Sequence, residues 1–169
     1  MNKVLLVCLF LLVGCASVQT TKNSSSNIKV TKIAITPFSG SDQELNMALA
    51  DALGTELMGM GYDLIERGQL EQVLAEQKLS WTGVMPTSTA IKLGEILNVD
   101  ALLVGSVMPY EPGAKEISMK GQVLSANVRL IDTHTGRVAA STSFRNGTVF
   151  SRFPGAVRSI ADSLHSSLH

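Results

Sequence analysis

Ten consecutive apolar residues, Val4 to Val13, open the chain; Lys3 precedes them and Gly14-Cys15 closes them. The run is far short of the ~20 residues a membrane-spanning helix needs. A short cationic start, an apolar stretch and a small residue give the order of a secretory leader. From Ala16 to Asn27 the pattern dissolves into Ser, Thr, Asn and Lys, which predicts a flexible tether. Periodicity returns at Ile28. Lys29 to Thr36 is rich in β-branched residues and stops at Pro37, which predicts a strand. Ser41-Asp42-Gln43-Glu44 has the form of a capping box opening a helix. Leu45, Leu49, Ala52, Leu57 and Met60 then recur near helical spacing until Gly61 stops them.

A short strand follows over 62–66, then a helix over 69–78 with Leu70, Val73 and Leu74 on one face. Thr87 or Ser88 is placed to cap a third helix through Leu97, with Ala90, Leu93, Gly94 and Leu97 inward. Ala101 to Met108 is almost wholly apolar and strand-length, the signature of a central buried strand. Gln122 to Ile131 alternates, with Leu124, Ala126, Val128 and Leu130 on one face. Asp132-Thr133-His134-Thr135-Gly136 reads as a turn with glycine at a positive-φ position, and 137–145 returns as the antiparallel partner. Pro154 starts a last helix whose buried stripe is Val157, Ile160, Ala161, Leu164 and Leu168. The order β-α-β-α-α-β-β-β-α predicts a mixed sheet with helices packed on it, one α/β (α+β) domain over 28–169. No internal repeat is visible.

Cys15 changes the picture most. Leu12-Val13-Gly14-Cys15 looks like the lipobox of bacterial lipoproteins, in which cleavage after Gly14 leaves Cys15 as a lipidated N-terminus. Cys8 follows bulky Val7 and is the poorer candidate. Ala16, in the second mature position, resembles the pattern sent to the outer membrane, since the inner-membrane retention signal has Asp there. Residues 1–14 are then the signal peptide, and 15–27 the lipidated Cys15 with its tether. Losing Lys3 with the leader leaves 13 cations against 14 anions. No basic tract offers phosphate neutralisation, which argues against nucleic acid as a partner. One cysteine remains after processing, so no internal disulfide can form.

Catalytic chemistry is sparse. The sequence contains no G-x-S-x-G, Walker loop or H-E-x-x-H motif. Gly59-Met60-Gly61 starts a dinucleotide fingerprint, but Leu64 stands where its third glycine belongs, and the stretch reads better as a helix end. His165 and His169 are four apart and could share a face, with Asp162 the nearest third ligand; both sit in the final helical turn, where cations ordinarily meet the helix dipole. His134 reads as a solvated turn residue. The expectation is no catalytic residue, metal or cofactor. Two features suggest contact instead. Met47, Ala50, Gly54 and Met58 recur along one flank of the first helix, as either a subunit interface or the edge of a wide core stripe. Trp81, the lone tryptophan, lies in a polar loop, as either a half-buried packing residue or an interface anchor.

Three blocks carry a family resemblance. Ile65-Glu66-Arg67-Gly68-Gln69-Leu70 continuing through Leu74 to Leu79, the strand from Asp100 through Gly105 and Ser106 to Val107, and Asn127 to Asp132 with Thr135-Gly136-Arg137-Val138 resemble the curli secretion channel lipoprotein (CsgG) family. The resemblance implies an anticodon-binding-like periplasmic domain, and it marks Glu66, Arg67, Leu70, Gly105, Ser106, Arg129, Asp132 and Gly136 as motif residues with no catalytic use. Glu66 and Arg67 are expected in structural pairing or a subunit contact, and Arg129 in a cross-strand ion pair. Channel-forming members extend two connections into membrane hairpins, each strand needing ~9–11 residues. The corresponding segments here, 109–121 and 146–153, are too short, so the transmembrane hairpins are absent. Barrel-less members of this kind form a ring under the outer membrane beside a separate channel. The implied function is a non-enzymatic, homo-oligomeric lipoprotein, anchored to the bilayer through Cys15, that supports export of a polymer, adhesin or appendage. Related folds also occur in lipoproteins that activate a periplasmic cell-wall enzyme, but those need a long disordered reach.

Overall fold

A computed structural model of the chain describes residues 17–23, 28–65, 67–77, 85–109, 123–145 and 153–168. The elements are β1 (Ser17–Lys22), β2 (Lys32–Ile35), α1 (Gln43–Gly59), β3 (Asp63–Ile65), α2 (Arg67–Glu76), α3 (Thr87–Leu97), β4 (Ala101–Pro109), β5 (Val123–Asp132), β6 (Val138–Arg145) and α4 (Phe153–Leu168). They form one six-stranded sheet in the order β1-β6-β5-β4-β2-β3. β2 pairs parallel with β3 and β4, while β4, β5, β6 and β1 run antiparallel in succession. From β2 onward the element order is the one the sequence predicts.

β1 is a correction. Ser17–Lys22 falls inside the expected tether, yet it pairs with β6 from Ser17↔Arg145 to Lys22↔Ala140. The Thr20 and Thr142 hydroxyls lie 3.0 Å apart, and Asn23 N donates to Ala139 O at 2.9 Å beyond the strand end. Only Val18 touches the core; the other five residues are exposed. With neither face buried there was no apolar alternation to read, and backbone pairing does the ordering. At the other end, the strand predicted over 29–36 shortens to Lys32–Ile35.

α1 and α4 cover one face of the sheet, burying Ile33, Leu103, Ala126, Val128, Leu130 and Phe144 beneath Leu49, Leu57, Ile160 and Leu164. α2 and α3 lie on the opposite face, where Leu70, Leu93 and Leu97 meet Ala34, Leu102 and Ile131. The alternation of Leu102 and Leu103 between the two clusters is the strand period at work, and both are fully buried. β4 is therefore central, as its apolar run predicts.

Local details refine several expectations. Asp42, one residue after the expected Ser41, caps α1: its Oδ1 accepts from Leu45 N at 3.0 Å. Leu53 replaces Ala52 and Met60 in the buried stripe. Neither Thr87 nor Ser88 caps α3, whose cap is Pro86 without a side-chain bond. A register shift between Met108 and Pro109 brings Val123 into the core and leaves Leu124 half-buried. Gly61, at φ 94°, ends the α1 turn as its position predicts.

Candidate functional site

Of the family-motif residues inside the described regions, Gly105, Gly136, Asp132 and Leu70 take part in packing or turns. A Cβ on Gly105 would lie 2.6 Å from the Phe38 ring, so only glycine lets that ring lie flat on β4. Gly136, at φ 65°, closes the β5–β6 turn against Thr87. Asp132 holds that turn: its Oδ1 accepts from His134 N at 2.8 Å and its Oδ2 from the Thr135 hydroxyl at 2.7 Å. Leu70 is buried under the sheet and Ser106 is exposed. Arg129 stands opposite Val104 and Ser141, neither a carboxylate, so the expected cross-strand ion pair does not form there. Glu66 and the Arg67 side chain, Trp81 and Cys15 lie outside the described residues.

The described histidines are His134 and His165. His134 is exposed in its turn. His165 Nδ1 lies 3.0 Å from the Tyr62 hydroxyl, with the two rings edge-on at 5.8 Å. Among the described residues no three His, Cys, Asp or Glu side chains are grouped to hold a metal. His169, the other half of the expected pair, lies outside them.

The α1 flank divides in two. Met47 and Met58 are exposed, but Ala50 and Gly54 are buried. A Cβ on Gly54 would lie 3.2 Å from the Cδ1 atoms of both Ile35 and Leu64, so glycine here lets α1 settle close to β2 and β3. Ala50 and Gly54 thus belong to the wide core stripe. Ala50, Gly54 and Met58 nonetheless share one surface feature: with Ile35, Leu64 and Ile65 they line a largely apolar groove of about 380 Å³. It opens beside β3, an edge strand of the sheet. Asp51 and Thr55 stand on its rim.

The opposite edge is different in character. Between β1 and α4 runs a groove of about 480 Å³ lined by Val18, Thr20, Lys22, Asp162, Ser163 and Ser166. On the sheet face turned away from α1 and α4, among the described residues, Asn127, Ser143 and Arg145 are exposed and the Ser143 hydroxyl donates to Asn127 Oδ1 at 2.7 Å. These are open surfaces. Sequence reasoning missed all of them except the α1 flank, because each is assembled from separate elements.

The family model described as "Curli production assembly/transport component CsgG" matches residues 15–153. No curated protein matches the chain in sequence. Among solved structures, a PelC L103M dodecamer from Paraburkholderia phytofirmans superposes with a TM-score of 0.57 at 16% identity, covering 91% of this chain and 98% of that one. A second PelC dodecamer from the same organism gives 0.55 at 14% identity, covering 91% and 97%. Lipoprotein GNA1162 from Neisseria meningitidis gives 0.51 at 20% identity, covering 82% and 99%. At these identities the likeness is one of fold. Among the described residues no helix is long and apolar enough to cross a membrane.

Proposed function

The chain belongs to the CsgG family, and from that membership we propose that it is a non-enzymatic outer-membrane lipoprotein, anchored at Cys15, whose copies assemble into a ring supporting export through a separate channel. The observation that carries this reading is the family match joined to a fold shared with proteins solved as dodecamers.

The shape of the subunit supports a ring. Its two sheet edges are unlike, β1 with a polar groove at one side and β3 with an apolar groove at the other. Unlike surfaces meeting head to tail make a heterologous contact, which generates a ring when the rotation closes. The apolar groove of Ala50, Gly54 and Met58 is the surface we assign to the neighbouring copy. A regulator that crosses the periplasm to a distant enzyme would need a long free tether, and β1 begins two residues after Cys15.

Two measurements test the reading. Cys15→Ala should lose palmitate labelling and leave the membrane fraction; normal fractionation of that variant would sink the lipoprotein assignment. Sedimentation velocity on the detergent-extracted protein should show a closed oligomer. A monomer at micromolar concentration would remove the ring.

A further inference from the structure

Strand alternation gives β4, β5, β6 and β1 two faces of different chemistry. Val18 and its partner Phe144 lie on the core side, with α4. On the other face one row runs Ser106, Asn127, Ser143, Gln19, a residue from each strand and all four exposed. Arg145 stands in the next row on one side, between Ser125 and Ser17. Arg129 stands in the next row on the other, between Val104 and Ser141. α2 and α3 pack on this same face, with their buried contacts at Ala34, Leu102, Val104 and Ile131.

A sheet face turned to water needs only polar side chains. These three rows carry two cations and no carboxylate. At ~3.4 Å per residue and ~4.8 Å between strands, the two arginine Cα positions are about 14 Å apart, with the polar row between them. A guanidinium offers a carboxylate two parallel N–H donors, so each arginine suits one acid group. The amides of Asn127 and Gln19 and the hydroxyls of Ser106 and Ser143 each donate and accept, as sugar hydroxyls do. The Ser143 hydroxyl already uses Asn127 Oδ1 in this way, at 2.7 Å.

Other polymers fit less well. The three rows hold no aromatic side chain on which the bases of a single nucleic-acid strand could stack. Of their apolar residues Val104 is buried, and Met108 is exposed only at the strand end. The apolar centre that a protein interface uses is therefore missing. Resting on the export reading given above, we propose that this face holds the polymer being exported and that the polymer is an acidic polysaccharide. Its carboxylates meet Arg129 and Arg145, and its hydroxyls meet the row between them.

The processed full chain, extracted in detergent, would be titrated calorimetrically with polygalacturonate. Binding should saturate and weaken as salt is raised. Neutral dextran should not bind. Arg129→Ser combined with Arg145→Ser should weaken binding about tenfold or more, since hydrogen bonds to charged groups are lost. Arg145→Ser alone, at an exposed position, should give part of that loss with circular dichroism unchanged. Lys22→Ser removes a cation from the opposite face, in the groove beside α4, and should change nothing. No binding, or an equal loss with Lys22→Ser, overturns the proposal. Tighter binding of polyglutamate would make the ligand an acidic peptide, and tighter binding of peptidoglycan sacculi would make it the cell wall; either result refutes an exported polysaccharide. Sedimentation velocity on the same samples separates this site from the ring. A closed oligomer that ignores polygalacturonate refutes the polymer site and leaves the ring standing, whereas a monomer that binds it supports the site and removes the ring. Arginine variants that fall apart into monomers would make the face a subunit contact and overturn the proposal.

Discussion

The Tyr62 hydroxyl lies 3.0 Å from Nδ1 of His165 and joins the residue after the α1 turn to the last turn of α4. Between them these helices cover one face of the sheet, and the pair fastens their ends together. Tyr62 is 7% exposed, and burial raises its phenol pKa above the ordinary 10.0.

Because the folded protein favours the neutral phenol, the stability this burial contributes is fully present below pH 10.0. It is lost as pH rises through the higher folded value. Tyr62→Phe should cost about 0.5–1.5 kcal/mol at pH 8, for one hydrogen bond. It should also lose less stability than the parent between pH 8 and 11. Urea midpoints of both proteins at the two pH values check this; parallel losses would show that Tyr62 does not titrate with unfolding.

Glycines divide by what surrounds them. Gly94→Ala drives a methyl group into the Thr133 side chain, whose hydroxyl is itself fixed to Val99 O at 2.6 Å and Asp100 O at 2.9 Å. Such overpacking costs about 1–3 kcal/mol. Gly68→Ala, with nothing within 4 Å of the added atom, should be neutral or stabilising by up to about 1 kcal/mol. Thermal melts should fall for Gly94→Ala and hold or rise for Gly68→Ala.

Asp100 anchors the sheet at its parallel end. Its Oδ2 accepts from Thr31 N and Lys32 N, both at 2.8 Å. Asp100→Ala strips both donors at once and should destabilise by about 1–3 kcal/mol, while Asp100→Asn keeps an acceptor and should cost less. Equal losses in chemical denaturation would assign the effect to packing.

The groove beside β3 gives an assembly test. Met58, 55% exposed, can take a charge without disturbing the fold, so Met58→Arg should shrink the oligomer and leave circular dichroism unchanged. Gly54→Glu presses on the Ile35 and Leu64 side chains and should destabilise the domain, though less than Leu49→Arg in the core. An unchanged oligomer for Met58→Arg in sedimentation velocity would move the interface elsewhere, with the Trp81 loop the next surface to probe.

The domain without residues 1–15 should not conduct ions in planar bilayers. Its connections after Pro109 and Arg145 are too short for paired membrane strands of ~9–11 residues each. Steady conductance from this protein alone would contradict that length argument.

Sequence by itself determined the elements from β2 onward and the family, because periods of 2 and 3.6 survive wherever one face is buried. Ala126 and Val128, Ile160 and Leu164 announce their faces without a partner in view. Gly61 and Gly136 announce their turns, since positive φ selects glycine locally. Tertiary structure alone decided the rest. Gly54 and Met58 share a helical flank, yet only the approach of Ile35 and Leu64 makes one core and leaves the other exposed. Ser17–Lys22 carries no apolar alternation, and it becomes a strand because β6, more than a hundred residues later, offers an unpaired edge. Backbone hydrogen bonding across such a separation leaves no period in the sequence to read.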